Sequence, residues 1–369
     1  MVNKERIINE FMELVKVNSL TFKERKMADL LFSKLEGLGL KPFEDKSHDN
    51  FQGEAGNIIA RLKGKKEATP LLLCSHMDRV TPGEDINPVI KGNRIESDGT
   101  TVLGSDDAAG IVAILEVVRC IKENNLEHGP IEIIFTSAEE GGLFGSKYLN
   151  HKELKSEMGY VLDAGGRVGN IANQAPGQNE TWITVKGKAA HAGSDVEKGI
   201  NAIQVASEAI SYIDWGRLDE HTTSNLGLIE GGRATNIVCD FVNIKGEVRS
   251  KCQENLDFYT LNIGKLFAAV TAKWGAKLDF TWKNIYSPFS LDNDEYVIKL
   301  AIRAAWETGV NPVVKSSGGG SDANIFNAVG IPSVNLGIGT QKAHTTEEYI
   351  HISELVNLAQ LVVNIIKLA

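Results

Sequence analysis

The sequence predicts an α/β fold into which a second, smaller α+β domain is inserted. Short apolar runs alternate with helical patterns over the first third of the chain, and this alternation resumes after Ser287-Pro288. Between these parts the predicted order is β-α-β-β-α-β, which is the split βαβ arrangement of a small independent domain. We therefore expect a discontinuous first domain over residues 1–178 and 288–369, and an inserted domain over residues 179–287.

The first domain begins with two predicted helices, one from the helical spacing of Ile7, Phe11 and Val15 and one over residues 24–38. A further helix is predicted over residues 108–121, after the N-capping sequence Gly-Ser-Asp-Asp. Four short apolar runs are typical of buried strands in one sheet. They are Asn57–Leu62, Leu71–Cys74, Ile131–Phe135 and Tyr160–Leu162.

The inserted domain has a different pattern of strands and helices. Its predicted strands are Thr181–Val185, Asn225–Glu230, Asn236–Val248 and Lys277–Trp282, and its predicted helices are Gly199–Ile213 and Glu254–Ala272. The first domain then resumes with predicted helices at Tyr296–Trp306 and Asp322–Ala328, strands near Val313 and at Ser333–Leu336, and a final helix.

Composition excludes several classes of function. The chain has 369 residues and a net charge of −9, and its basic residues do not cluster, so we expect no nucleic-acid partner. No apolar run approaches the roughly 18 residues of a membrane helix, and the N-terminus is charged, so we expect no membrane partner. The four cysteines lack Cys-x-x-Cys spacing, which favours free thiols in the cytoplasm. Any metal must then be held by histidine and carboxylate groups.

Histidine and carboxylate residues follow the predicted strands of the first domain. Ligands of open α/β sheets gather beyond the carboxyl ends of the strands, so these loops should meet at one rim. Each motif alone is weak, because acidic pairs are usually solvated surface charges. Together they supply the side chains that two zinc ions need if one carboxylate bridges them. The loops are Ser75–Asp78, Gly104–Asp107, Thr136–Gly142, Asp163 and Ala343–Thr345.

These five motifs, Ser-His-Met-Asp, Gly-Ser-Asp-Asp, Glu-Glu-Gly, Leu-Asp and Ala-His, resemble those of one di-zinc metallopeptidase family. That family includes peptidase T, the glutamate carboxypeptidases and the aminoacylases. The resemblance covers essentially the whole chain, and the run Ser97–Gly104 is most similar to the peptidase T branch. It implies a mixed sheet with helices on both faces, a ferredoxin-like lid and dimerisation domain, and two Zn²⁺ per chain, with Co²⁺ or Mn²⁺ as substitutes.

The resemblance also implies a role for each metal ligand. Asp106 would bridge the two ions, His76 and Asp163 would complete one ion, and Glu140 and His344 would complete the other.

For catalysis, the resemblance makes Glu139 the general base that takes a proton from a metal-bridged water. Asp78 would orient the imidazole of His76 without binding the metal itself. Asp107 is interpreted as a helix N-terminal charge and is not placed in the site.

Four residues of the inserted domain are further candidates. The family places a histidine such as His191 across a dimer, where it hydrogen-bonds the oxyanion of the partner's site. A plain turn histidine is the alternative. Asn236 lies in a motif that resembles one of the family's lid motifs and could contact the oxyanion or the substrate backbone. Arg233 and Arg249 could bind a substrate carboxylate or form surface ion pairs, and both alternatives stay open.

We therefore expect a cytoplasmic, homodimeric aminopeptidase of the tripeptidase T type. Gly318 stands where peptidase T carries an arginine that we expect to grip the substrate, so the preference for tripeptides is left open. A second hypothesis keeps the metals but makes the substrate an N-acyl amino acid or another small amide. A third is a non-catalytic, metal-stabilised binding protein, for which a missing ligand or a replaced Glu139 would be expected, and neither is seen.

Overall fold

Two separate sets of strands and helices make up the structure, a computed structural model that describes residues 2–369. One unit contains the chain up to Ala175 together with Ser290–Ala369, and the other is Pro176–Phe289.

Within residues 2–369 the α-helices, α1 to α9 in chain order, are Lys4–Leu14, Arg25–Gly37, Ser105–Glu123, Phe144–Tyr148, Ala202–Ser211, Gln253–Trp274, Tyr296–Thr308, Asp322–Ala328 and Ile352–Leu368. The strands, β1 to β18, are Phe43–Glu44, Ile58–Leu62, Leu71–His76, Val89–Lys91, Arg94–Glu96, Ile131–Thr136, Met158–Ala164, Asn170–Ala175, Gly177–Lys186, Gly216–Arg217, Thr222–Gly231, Phe241–Ser250, Lys277–Tyr286, Phe289–Ser290, Val313–Ser316, Ser333–Gly337, Thr340–Gln341 and Tyr349–His351.

The large sheet of the first unit is mixed. Its strands lie in the order β1-β2-β6-β3-β7-β16-β8, and β15 also pairs with β8. β3 runs parallel to β6 and β7, and β16 runs parallel to β7, whereas β2 and β6 are antiparallel. His76 lies beside Thr136, and Leu336 lies beside Leu162. The carboxyl ends of β3, β6, β7 and β16 therefore share one edge of the sheet.

Helices cover both faces of this sheet. α3 packs against β3, β7 and α9, while α8 packs against β7 and β16. Tyr160 and Leu162 of β7 belong to the apolar core that contains α3. Val161 points to the opposite face, because side chains alternate along a strand, and it is buried as well. The predicted mixed sheet with helices on both faces is confirmed.

Local sequence sets the starts of two helices near the shared edge. Ser321 and Asn324 form a reciprocal capping box at the start of α8, which satisfies two backbone N–H groups. α3 begins after Gly104, whose φ of 70° suits glycine. Asp106 and Asp107 keep non-helical backbone angles, so the regular helix starts after them. This geometry turns the side chain of Asp106 away from the helical path.

A small antiparallel sheet joins two loops of the first unit. Its order is β17-β18-β5-β4. β5 leads into the loop of residues 97–104, and β18 follows the loop of residues 342–348. Because β5 and β18 pair directly, with Ile95 opposite Ile350, these two loops are held side by side.

The second unit is an α+β domain with its own core. Its sheet order is β10-β11-β12-β9-β13, with antiparallel neighbours throughout. α5 and α6 pack against each other and against β9 and β12. The core includes Ile183 and Val242 from the sheet and Val205, Leu256 and Phe267 from the helices. The predicted ferredoxin-like arrangement of the inserted domain is confirmed.

One predicted strand of this unit starts later than expected. β12 begins at Phe241, so a strand over the preceding five residues from Asn236 is wrong. The backbone oxygen of Asn236 accepts a hydrogen bond from the N–H of Ala192, and the N–H of Val238 donates to Ala190. These bonds tie the stretch to a neighbouring loop.

No helix within residues 2–369 combines the length and the apolar character that crossing a membrane requires.

Candidate metal centre

His76 ends the central strand β3 and is buried, with 2% of its surface exposed. Its Nδ1 donates a hydrogen bond to the backbone oxygen of Asp78 (2.9 Å), which leaves Nε2 as the nitrogen available to a metal. Nε2 lies 3.1 Å from Oδ1 of Asp106 and 3.7 Å from Oδ1 of Asp163. The end of β3 therefore faces two carboxylates.

Asp106 lies between two histidines. Its Oδ1 faces His76, and its Oδ2 lies 3.4 Å from Nε2 of His344. The same Nε2 lies 2.7 Å from Oε1 of Glu140. One carboxylate thus presents a separate oxygen to each imidazole, as a carboxylate that bridges two metal ions must do.

A neighbouring strand fixes the carboxylate of Asp163, near the end of β7. Asn335 of β16 accepts a hydrogen bond from the N–H of Asp163 (3.0 Å), and its amide donates to Oδ2 (3.3 Å). Because β7 and β16 are parallel neighbours, this contact holds Asp163 at the shared edge with Oδ1 directed to His76.

The centre concentrates negative charge. Burial, together with the nearby Asp106 and Glu140, raises the pKa of Asp163 to about 7. Burial and the charge of Asp163 raise the pKa of Glu139 well above its usual range. Hydrogen bonds with Asp106 and Glu140 raise the pKa of His344 to about 10. The carboxylates repel one another, and protons on the imidazoles offset part of their negative charge. A bound cation would offset the same charge.

The donor set fits divalent metal ions. The ligand atoms of His76, Asp106 and Glu140 all lie within 4.8 Å of one another. A tetrahedral ion with bonds of about 2.0–2.1 Å separates its ligand atoms by roughly 3.4 Å. The distances from the two imidazoles to the carboxylates are similar, at 3.1 to 3.7 Å for the contacts with Asp106 and Asp163. Imidazole nitrogen and carboxylate oxygen are also ligands that zinc accepts.

Asp78 organises the loop that carries Glu139 and Glu140. Its Oδ1 accepts a hydrogen bond from the N–H of Glu139 (2.9 Å). Its Oδ2 accepts from the N–H of Glu140 (3.1 Å) and from the hydroxyl of Thr21 (2.9 Å). Oδ1 also lies 3.4 Å from Nδ1 of His76. The buried Asp78 therefore contacts one predicted ligand and the backbone of two other predicted site residues.

Two buried carboxylates that were not predicted also support the centre. Asp107 accepts a hydrogen bond from the N–H of His76 (3.2 Å). Glu348 accepts several hydrogen bonds from the loop that carries Asp106. The available signals were the position of Asp107 next to Asp106 and the spacing of Glu348 four residues after His344. Neither signal separates a buried carboxylate from a surface one.

The remaining predicted residues lie in the second unit, where His191 and Asn236 are neighbours and exposed. Nδ1 of His191 accepts hydrogen bonds from the N–H groups of Gly193 and Ser194, each at 3.1 Å. The N–H of Ala192 donates to the backbone oxygen of Asn236 (3.0 Å). Their predicted role at the oxyanion stays a prediction.

Both predicted substrate arginines form ion pairs within the second unit. Nη2 of Arg233 lies 3.1 Å from Oδ2 of Asp240, and the guanidinium group lies above the ring of Phe241. Arg249 donates two hydrogen bonds to Glu247, from Nε (2.9 Å) and from Nη2 (3.2 Å). Each arginine already has a carboxylate partner, and a role in substrate binding stays a prediction.

Comparison with known families decides the class of the protein. A model of peptidase family M20/M25/M40 matches residues 72–368. The chain belongs to this peptidase family. It is therefore a metallopeptidase, and the resemblance to peptidase T is confirmed by its relatives. The alternative of a non-catalytic binding protein is set aside.

Two solved structures and one peptidase T match this chain over nearly its whole length. An aminopeptidase PepT of Bacillus cereus is 42% identical, with 100% of this chain and 99% of that chain covered and a TM-score of 0.92. A tripeptidase of Staphylococcus aureus is 39% identical, with 100% and 98% covered and a TM-score of 0.96. Peptidase T of Fusobacterium nucleatum is 26% identical over 95% of this chain and 85% of that protein.

Gly318 marks a difference from the arginine expected from peptidase T. The residue lies in the exposed loop after β15. A Cβ atom built on Gly318 has no heavy atom within 4 Å apart from its chain neighbours. This loop of the metallopeptidase therefore has open space where a longer side chain would stand.

Proposed function

We propose that this metallopeptidase is an aminopeptidase of the tripeptidase type that uses two zinc ions per chain. The observation that carries the proposal is the position of Asp106, whose two oxygens lie 3.1 Å from Nε2 of His76 and 3.4 Å from Nε2 of His344. In this proposal both ions would share Asp106 as a ligand. His76 and Asp163 would hold one ion, and Glu140 and His344 would hold the other.

When bound, the metal ions would lower the pKa of an attacking water molecule and polarise the carbonyl group of the scissile bond. The protein's own groups move the protons. Glu139 accepts a proton from the attacking water and returns it to the leaving amine.

Asp78 positions both Glu139, the proton-transferring residue, and Glu140, a proposed metal ligand. Its two oxygens accept hydrogen bonds from the backbone N–H groups of Glu139 and Glu140, so one carboxylate holds the backbone of both residues. The hydrogen bond from Nδ1 of His76 to the backbone oxygen of Asp78 also fixes the tautomer of the imidazole.

Short peptides with a free amino terminus are the proposed substrates. Support comes from the similarity to an aminopeptidase PepT and to a tripeptidase over essentially the full chain.

A substrate panel tests this proposal. We expect the highest kcat/KM for unblocked tripeptides, lower values for dipeptides and tetrapeptides, and a large loss when the tripeptide is N-acetylated. The metal-loaded protein is used throughout, with the same peptides in chelator as the control. Faster hydrolysis of N-acyl amino acids than of free tripeptides would contradict the aminopeptidase proposal and favour the alternative amide hydrolase.

We further propose that the second unit forms a homodimer through β11. The neighbouring strand β10 covers only Thr223 and Ser224 on the outer edge of β11. Beyond these residues, Leu228 and Ile229 are about three-fifths exposed, at 62% and 60%. An exposed apolar edge strand is a template for pairing with another chain, and a two-fold dimer would cover it. In this dimer His191 would hydrogen-bond the oxyanion in the partner's site.

Mixing two weakened variants tests the role of His191 across the interface. His191→Ala and Glu139→Gln each impair every site in their own homodimers. Mixed dimers contain one site with both residues intact, so part of the activity should return after subunit exchange. Exchange demonstrated by labelled subunits without any recovery would exclude the proposed role, and a fully active monomer in sedimentation would exclude the dimer. The cytoplasmic location stays a prediction.

A further inference from the structure

Glu348 is buried in the first unit, with 1% of its surface exposed. Its Oε2 accepts hydrogen bonds from the N–H groups of Leu103 (2.9 Å) and Gly104 (3.0 Å). Its Oε1 accepts from the N–H (2.8 Å) and the hydroxyl (2.5 Å) of Ser105, and from the N–H of Asp106 (3.2 Å). Five donors therefore converge on one carboxylate, which is then fully occupied as an acceptor.

These contacts connect the two loops whose side chains meet at the metal centre. All five donors belong to residues 103–106, which end in the proposed bridging ligand Asp106. Glu348 itself closes a turn with Thr345, the residue directly after His344, through a hydrogen bond of 3.1 Å from its N–H. Glu348 thus joins the loop that ends at Asp106 to the turn that follows His344, across a sequence separation of more than two hundred residues.

The environment of Glu348 also includes a buried positive charge. Arg79 is buried, and its guanidinium group lies against the backbone of Gly104, close to where a Cβ would stand. Nη1 of Arg79 donates to the backbone oxygen of Val15 (2.7 Å), which holds the group in place. Arg79 and Glu348 attract each other across the loop. The loop that carries Asp106 is therefore held between a buried carboxylate and a buried guanidinium group.

We propose that Glu348 is a positioning residue that sets the spacing between Asp106 and His344 and thereby the affinity of the metal centre. This inference rests on the proposed function, because it takes Asp106 and His344 as ligands. Glu348 does not bind the metals itself, since both of its oxygens are engaged by the loop.

The substitution Glu348→Gln is the sharpest test because it keeps the size of the side chain. An amide has one oxygen acceptor and one nitrogen that only donates. Whichever way it turns, the nitrogen faces two or three of the five donors. The loop must then move away from Glu348, and Asp106 moves with it.

The chain offers a matched control in Glu347. It is the adjacent glutamate, it is exposed, and it pairs with Lys342 on the surface. Zn²⁺ affinity of the full chain is measured by competition with a chromophoric chelator for wild type, Glu348→Gln and Glu347→Gln. Thermal unfolding is measured for each in chelator and with Zn²⁺. Loss of such a supporting contact typically costs about 10–100-fold in metal affinity, and we expect this loss for Glu348→Gln alone.

Ser105→Ala is a milder second variant if Glu348→Gln does not fold. It removes one of the five donors to Glu348, together with the acceptor of the Thr340 hydroxyl (3.0 Å), so we expect a Zn²⁺ affinity a few-fold weaker than in wild type. A wild-type affinity in Glu348→Gln, combined with a lower unfolding temperature in chelator, would make Glu348 a purely structural residue and overturn the proposal. Wild-type affinity in Ser105→Ala would do the same. Failure of the wild-type chain to bind Zn²⁺ would refute the proposed function instead.

Discussion

Replacement of Asp78 by asparagine tests how the catalytic loop is held. In the wild type, the two oxygens of Asp78 accept hydrogen bonds from the N–H of Glu139 (2.9 Å), the N–H of Glu140 (3.1 Å) and the hydroxyl of Thr21 (2.9 Å). Asparagine has nearly the same shape but only one acceptor oxygen. At least one of the two backbone N–H groups then faces an amide nitrogen and loses its partner.

The expected size of the effect follows from that lost contact. A hydrogen bond to a charged group contributes about 1.5–3 kcal/mol, and a factor of ten in rate corresponds to about 1.4 kcal/mol. If this energy is lost from the positioning of Glu139 and Glu140, kcat/KM should fall by about 10–100-fold. Thr21→Val removes only the hydroxyl donor and leaves both N–H groups bonded, so its loss should be about tenfold or less.

The assay compares kcat/KM for one unblocked tripeptide between wild type, Asp78→Asn and Thr21→Val. The metal content of each preparation is measured in parallel, so that a loss of metal is not mistaken for a displaced base. Asp78→Asn with full metal content and wild-type kcat/KM would refute the reasoning. An equal loss in both variants would show that the Thr21 contact, and not the loop N–H groups, matters.

Three further predictions concern a base, a pH dependence and a loop. Glu139→Gln should keep the metal ions and reduce kcat by about 10²–10⁴, measured with the tripeptide, because an amide cannot accept the proton. Burial, and then the charge of Asp78, raise the pKa of Glu24 from 4.5 to about 7. As the pH rises from about 4.5 to 7, the free energy of unfolding of Glu24→Gln should therefore increase by about 3 kcal/mol relative to that of wild type. Urea unfolding in chelator measures this difference. Gly318→Arg should lower KM for tripeptides by up to about fivefold, which corresponds to the energy of one exposed ion pair with the substrate. The open space around Gly318 leaves room for the arginine side chain.

The sign of the Glu24 prediction follows from proton binding in the two states. Below pH 4.5 the carboxyl group is protonated in both the folded and the unfolded chain. Between pH 4.5 and about 7 only the folded chain holds the proton, so the free energy of unfolding of wild type falls as the pH rises. Glutamine lacks this titration. A stability difference between Glu24→Gln and wild type that is constant with pH would contradict the raised pKa of Glu24.

The other two predictions have their own contradicting results. A fully active Glu139→Gln would show that another residue is the general base. An unchanged KM in Gly318→Arg would exclude a substrate contact at that position.

The sequence was informative where buried strands and loops share a simple pattern. Central parallel strands are covered on both faces, so their sequences are mostly apolar, as in Leu71–Cys74 and, apart from Glu132, in Ile131–Phe135. Because the loops after such strands meet at one edge, the residues brought together at Asp106 could be predicted as a group. Their individual roles could come only from the family resemblance.

Other parts could not be predicted because tertiary contacts decide them. Asn170–Ala175 forms a strand although its sequence, Asn-Ile-Ala-Asn-Gln-Ala, contains no apolar run. Glu347 and Glu348 are identical neighbours in the sequence, yet one lies on the surface and the other is buried among five donors. Asp107 does cap the helix, since its Oδ1 accepts from the N–H of Gly110 (3.1 Å), but its Oδ2 also accepts from the N–H of the distant His76. Nothing local distinguishes such pairs, since the partners lie far away in the chain.

The number of metal ions per chain tests the central claim most directly. Elemental analysis of the active enzyme, with protein concentration measured independently, should give two divalent ions per chain. Chelator should remove both the ions and the hydrolysis of tripeptides, and added Zn²⁺ should restore them together. One ion or none in fully active protein would contradict a centre in which Asp106 bridges two metals between His76 and His344.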